Sequence, residues 1–367
     1  MNFRGFACAA GLCLLGYGLF GCSSASTPGN SPRAYSGTAS VGDFLSIMLD
    51  PAAHTLAYTN VSNGDTGTIP FTVNVDGTYT LQDPHGVLVA AYEVPNFGMI
   101  VQAAKTGPTH DMPALITAIA KGGNISPTTW ASQKFNYMQF RTAAGGMEIG
   151  SASMDAQGNV SISHYWPFGD SSGQSAFGGG TFSASNFVTD PSGAFMTMSE
   201  GGGPTDYVFG TPGGVFAVDT NNGAIIGLKK ASGKAFDPAV AGTYKAIYYQ
   251  KTGAQTGQGN VETGTPSLGN ATIVIGANAQ ITVEGSSGET LVQTTLTPVA
   301  DAPYLYGTNE LVDPCYGLFT FRVTTQNSQR DVFVAFMDHT ILFASFTGVL
   351  PASQSNPYDY LYGVGLK

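Results

Sequence analysis

Glycine and proline punctuate this chain so densely that long helices have no room. There are 49 glycines and 20 prolines among 367 residues, about one position in five. Each disfavours a helix interior, Gly through its backbone entropy and Pro through its missing N–H and its ring. Between these breaks the hydrophobic residues follow the period of a strand, as in Phe71-Thr72-Val73-Asn74-Val75, Val160-Ser161-Ile162-Ser163, Ile273-Val274-Ile275 and Ile281-Thr282-Val283. Turn chemistry separates the runs: Asp76-Gly77, Gly158-Asn159, Asn222-Gly223, and Asp-Pro steps at Asp50, Asp83, Asp190, Asp237 and Asp313. The expectation is an all-β protein. Only 10% of residues are charged, with a net charge of −10 and 43% hydrophobic content. That excludes a coiled coil, a helical bundle and a highly charged disordered chain. Basic residues stand singly, whereas phosphate binding needs clustered Lys and Arg, so nucleic acid is excluded as a partner.

The amino terminus predicts export. Arg4 is followed by an uncharged stretch from Phe6 to Phe20, too short to span a bilayer comfortably but suited to a signal-peptide core. It ends in Leu19-Phe20-Gly21-Cys22, which resembles the lipobox of bacterial lipoproteins: an aliphatic residue, a tolerated position, a small residue, then Cys. Phe20 is bulkier than is usual there. The resemblance implies cleavage before Cys22, lipidation (diacylglyceryl and palmitate) on its thiol, and attachment to the membrane through that lipid. Ser23 rather than Asp follows the lipidated Cys, which implies the outer membrane rather than the inner one, on either its periplasmic or its surface face. The segment Ser23 to Pro32 carries no charge and almost no hydrophobicity, and it predicts a flexible tether. Of the four cysteines, Cys8 and Cys13 leave with the signal and Cys22 is acylated. Cys315 therefore has no bridging partner in the mature chain and is expected to be buried beside Tyr316 and Leu318.

Three segments share an order of elements, each near one hundred residues long. The second and third align without gaps: Gly150 with Gly269, Ala152 with Ala271, Asn159 with Asn278, Ile162 with Ile281. Each has an Asp-Pro turn (Asp83, Asp190, Asp313) feeding a hydrophobic strand, and each reaches an aromatic strand, at Phe135–Phe140, Tyr244–Tyr249 and Tyr358–Tyr362. The predicted organisation is a signal peptide over 1–21, a lipidated tether over 22–35, and β units over 36–142, 150–251 and 269–367. Each unit would be a small barrel or sandwich. The aromatic strand could close one unit or open the next. One propeller with two blades per unit is the rival architecture. Residues 112–120, Met-Pro-Ala-Leu-Ile-Thr-Ala-Ile-Ala, read as one short helix, with Asp111 as N-cap and Pro113 in its first turn.

No catalytic machinery is legible. Gly169-Asp170-Ser171-Ser172-Gly173 has nucleophile-elbow spacing, but the glycine-rich run after it cannot start a helix. The histidines (His54, His85, His110, His164, His339) lack metal-ligand spacing, so neither a metal nor another cofactor is expected. Asp219 to Gly223 reads as a hairpin turn rather than a calcium loop. A transmembrane β-barrel is disfavoured by the Gly365-Leu366-Lys367 ending and by the redundancy of a lipid anchor. The remaining candidates are aromatic. Tyr358, Tyr360 and Tyr362 alternate along one strand face, and Tyr165, Trp166, Tyr304 and Tyr306 add others; exposed, they would stack on a glycan or a protein ligand, and buried they would be core. The expectation is a lipid-anchored envelope protein with a binding or structural role. Its alternative is a surface glycan hydrolase whose carboxylates come together only in three dimensions.

Overall fold

A computed structural model describes residues 29–82, 86–104, 112–141, 146–167, 180–199, 203–252, 254–256, 259–261, 266–299, 315–324, 329–347 and 359–367. The chain is all-β, in three successive antiparallel sheets. The first is a closed eight-stranded barrel in simple up-and-down order, sealed where its first strand, Arg33–Ala39, pairs with its last, Ala114–Ala120. The second and third are nine-stranded and share one plan: the first strand sits mid-sheet, hydrogen-bonded to both the second and the last, and a seam stays open between the fourth and fifth. In the middle barrel Lys134–Arg141 holds Gly146–Met154 on one side and Gly223–Lys229 on the other. In the C-terminal barrel Gly242–Thr252 holds Pro266–Ile275 and Asp359–Leu366. A small ribbon, Ala254–Thr256 with Gly259–Val261, stands outside these sheets.

Several expectations change against this plan. The aromatic strands at 134–141 and 242–252 open the barrels that follow them, so the boundaries at 142 and 251 each fall one strand late. The physical reason is ring closure: first and last strands become neighbours, and an aromatic row can sit on either side of the joint. Arg33, Ala34 and Tyr35 are not tether but the start of the first strand, and Arg33 and Tyr35 are buried. No helix forms at 112–120. Ala114–Ala120 is a strand, held between Gly98–Ala103 and Arg33–Ala39, with all but its last residue buried. Burial on both faces erases the polar alternation that marks most strands, so the run reads as helical. Three separate barrels also replace the propeller alternative.

The middle and C-terminal barrels share a rung of four cross-strand residues. In the middle barrel it runs Gly150–Tyr137–Gly227–Phe216, and in the C-terminal barrel Gly269–Tyr248–Gly363–Phe343. The glycines are needed because the rings lie over them: a Cβ on Gly150 would meet the Tyr137 ring at 2.4 Å, and one on Gly269 the Tyr248 ring at 2.3 Å. Aromatic rings laid over glycines in this way pin register and let a sheet curl. The gapless alignment holds at this rung and slips by two residues beyond it. The hairpin closed by Asp155 N to Asn159 O corresponds to that closed by Gly276 N to Gln280 O, so Asn159 matches Gln280 rather than Asn278. The Asp-Pro steps at 83, 190 and 313 all fall between the fifth and sixth strands of their sheets, although Asp83 and Asp313 lie outside the described residues.

Each barrel has its own apolar interior, and the outer faces of all three meet in a fourth, shared core. Phe44 of the first barrel stacks on Tyr207 of the second, with centroids 4.4 Å apart and planes at 9°. Phe140 of the second stacks on Tyr362 of the third at 4.2 Å and 10°, and Tyr362 stacks in turn on Tyr249 at 5.1 Å. Cys315 sits in this core, 1% exposed, together with Leu318. Its burial is as expected for a thiol that must escape oxidation.

Candidate functional site

The three barrel interiors are filled differently, and that difference locates the site. In the N-terminal barrel, inward positions on the first, fifth and sixth strands carry Arg33, Tyr35, Tyr79 and Glu93. The Arg33 guanidinium grips the Glu93 carboxylate with Nε at 2.6 Å from Oε1 and Nη2 at 2.7 Å from Oε2. Tyr79 donates its hydroxyl to Oε2 at 2.8 Å, and Tyr35 donates to Oε1. Four donors therefore converge on one carboxylate. Burial and that negative charge push both tyrosine hydroxyls far above their ordinary range, and the Glu93 bond raises Arg33. This cluster is a polar plug, with each charge answered, as buried charges must be.

The middle barrel is packed with large side chains, among them Trp130, Phe135, Phe182, Met196 and Met198. Its remaining cavity is only about 50 Å³. The C-terminal barrel instead encloses an apolar cavity of about 210 Å³. Much of its wall is Val and Ile, including Ile273, Ile281, Val332 and Val334, and such short branched chains do not reach across the ring. Leu291, 52% exposed, stands at its mouth on the strand beside the open seam. One end is polar. The rung beyond Tyr248 reads Gln250–Leu361–Ser345 across adjacent strands, where the middle barrel has Gln139–Ile225–Val218. All three residues of the C-terminal rung line the cavity. An apolar cleft or cavity with a few convergent polar groups is the usual form of a small-molecule site.

Of the aromatic candidates only Tyr362 has a described side chain, and it does not line this cavity. Tyr362 is fully buried in the shared core, so it contributes packing there and offers no surface to a ligand. Tyr165 and Trp166 fall in strand Val160–Pro167 and Tyr360 in strand Asp359–Leu366; their side chains, and all of Tyr304, Tyr306, Tyr358 and Cys22, lie outside the described residues. The elbow-like segment 169–173 lies outside them too. Asp219 to Gly223 makes the expected two-residue hairpin, with Thr220 paired to Gly223. Asp219 itself packs against the first barrel, where Thr38 Oγ1 donates to its Oδ1 at 2.6 Å. Burial and the neighbouring Asp43 and Asp206 push its carboxyl well above the usual range. It is 2% exposed, so it offers a glycan no approach and does not act as half of a hydrolytic pair. Among the described residues no group of three His, Cys, Asp or Glu could hold a metal, and no helix is long and apolar enough to cross a membrane.

Sequence reasoning missed the cavity because its lining comes from eight strands whose register brings together residues as distant as Tyr248 and Leu361. The one available signal was the excess of Val and Ile over aromatics in the inward positions of the third unit. No protein-family model and no curated protein matches the chain. Among solved structures it is similar to intact Ap-TbpB (N and C lobes), at 9% identity over 93% of this chain and 77% of that one, with a TM-score of 0.23. It is likewise similar to a double mutant of the vaccine antigen Transferrin Binding Protein B from Haemophilus parasuis Hp5, at 8% identity over 93% of this chain and 76% of that one, again with a TM-score of 0.23. A likeness at that TM-score carries no argument about this chain.

Proposed function

We propose that the chain is a binding lipoprotein of the bacterial cell envelope, tethered to the outer membrane through lipid on Cys22, and that its C-terminal barrel carries a small apolar molecule. The cavity of about 210 Å³ supports the binding role. An engineered apolar cavity of about 150 Å³ is large enough to take up benzene, whereas sites for drug-sized ligands begin near about 300 Å³. The ligand is accordingly of the size of a substituted benzene or a short acyl chain. The lipobox and the uncharged segment after it support the tether.

Toluene tests the binding role. A molecule that binds only the folded state raises the melting temperature with the logarithm of one plus its concentration over its dissociation constant. The melting temperature is expected to rise with toluene, and the rise is expected to vanish in a Val334→Phe variant that fills the cavity. No rise in the parent protein ends the binding reading. The anchor is tested separately: Cys22→Ala should abolish acylation and detergent partitioning, and intact membrane association in that variant would exclude the lipobox.

A further inference from the structure

We infer that the cavity of the C-terminal barrel selects a neutral ligand with one hydrogen-bonding group, and that the Ser345 hydroxyl receives that group. This rests on the binding role proposed for the same cavity. Ser345 is 0% exposed and lines the cavity, yet its Oγ has no hydrogen-bond partner among the described residues. Buried hydroxyls are nearly always satisfied, so one without a partner beside a cavity points to a missing group. The middle barrel shows what the scaffold alone requires there. Its matching position is Val218, paired to Ile225 as Ser345 is paired to Leu361, and that barrel retains only about 50 Å³ of space. A serine where the sister barrel closes with valine is therefore not demanded by ring closure.

The chemistry of the wall sets the class of ligand. None of the lining residues carries a charge, so a carboxylate or an ammonium would be buried with no counter-ion, at a cost far above what a cavity of this size returns. A purely apolar ligand would leave Ser345 as it is. A small apolar body bearing one hydroxyl or carbonyl satisfies both ends: its body lies against Ile273, Ile281 and Val334, and its oxygen meets Ser345 Oγ, which can donate or accept.

Phenol, toluene and benzoate are the probes, with affinities measured by titration calorimetry on the full chain and on Ser345→Val. Phenol is expected to bind the parent about fivefold more tightly than toluene does, the weight of one ordinary hydrogen bond. Benzoate is not expected to bind. Ser345→Val, the residue the sister barrel already carries, should remove the phenol advantage and leave toluene within twofold. If toluene binds but phenol gains nothing, or if the variant weakens both alike, the role of Ser345 is wrong while the binding cavity stands. If toluene fails to bind the parent, the binding role falls and this inference with it. Benzoate binding as tightly as phenol would overturn the selection for neutral ligands.

Discussion

The N-terminal and C-terminal barrels both pair first strand with last, the one sealing its ring and the other keeping a seam, and they fill their centres in opposite ways. The first places Arg33, Tyr35, Tyr79 and Glu93 inside its ring and leaves their polar atoms mutually bonded. The third lines half of its cavity with Val and Ile and keeps a void with the unsatisfied Ser345 hydroxyl at one end. Strand order therefore does not decide whether such a ring is a structural block or a container. The inward residues decide it, and in strands they are every second position, so a handful of side chains changes the outcome. A plug of four bonded groups fills the first barrel, while the third keeps open space.

The largest effect that could break this contrast belongs to the plug. Glu93→Leu would leave the Arg33 guanidinium inside the barrel without its carboxylate, and removing one partner of a buried pair costs about 3–5 kcal/mol. Urea unfolding followed through the first barrel should show that loss, and replacing Arg33 with Met in the same chain should recover most of it. A loss below about 1 kcal/mol would mean that the cluster is not what holds the ring. Next in size are the glycines of the shared rung. A Cβ at Gly363 would meet Phe343 Cζ at 2.2 Å and the Ile247 carbonyl at 2.8 Å; at Gly227 it would meet Phe216 Cε1 at 2.0 Å. Gly363→Ala and Gly227→Ala should each destabilise by about 1–3 kcal/mol through overpacking. Equal losses would establish the two rungs as equivalent parts, and a neutral result at either would separate them.

The smallest effect lies at the joint between the first and second barrels. The carboxyl of Asp219 titrates above its ordinary value of 3.8 in the folded protein, chiefly because it is buried and secondarily because Asp43 and Asp206 face it. The folded state thus holds a proton that the unfolded chain releases, so this group favours folding on the acid side and loses that contribution as pH rises from near 3.8 through the folded value. One proton gives a slope of at most about 1.4 kcal/mol per pH unit. Asp219→Asn keeps the acceptor for Thr38 and should flatten the profile. An unchanged slope would assign the pH dependence to other groups.

Much of the fold is legible in the chain itself, and the illegible parts have identifiable causes. Ile273, Ile275, Ile281 and Val283 alternate because one face of their hairpin lines a barrel and the other does not, so the period is visible. Ala114–Ala120 is buried on both faces and loses that period; only its β-branched Ile116, Thr117 and Ile119 argue for a strand. The change from helix to strand there is a lesson in burial rather than in propensity. The candidate site was illegible for a different reason. Ser345 is an ordinary serine in a sequence rich in small polar residues, and only register, which sets it beside Leu361 and across from Gln250, turns it into a cavity wall.

Ring closure also governs the order in which the molecule can be assembled. Gly242–Thr252 must wait for Asp359–Leu366 before its second edge is covered, and pairings so distant along a chain are slow to form. That late strand brings Tyr362, which inserts between Phe140 of the middle barrel and Tyr249 of its own. The step that completes the last ring is therefore the same step that fastens it to its neighbour. Until then Phe140 of the middle barrel lacks the ring that stacks on it, whereas Phe44 and Phe209 already cover each other at the joint of the first two barrels. A chain halted before residue 359 would leave Phe140 and the outer face around it uncovered, a flank primed to associate with copies of itself.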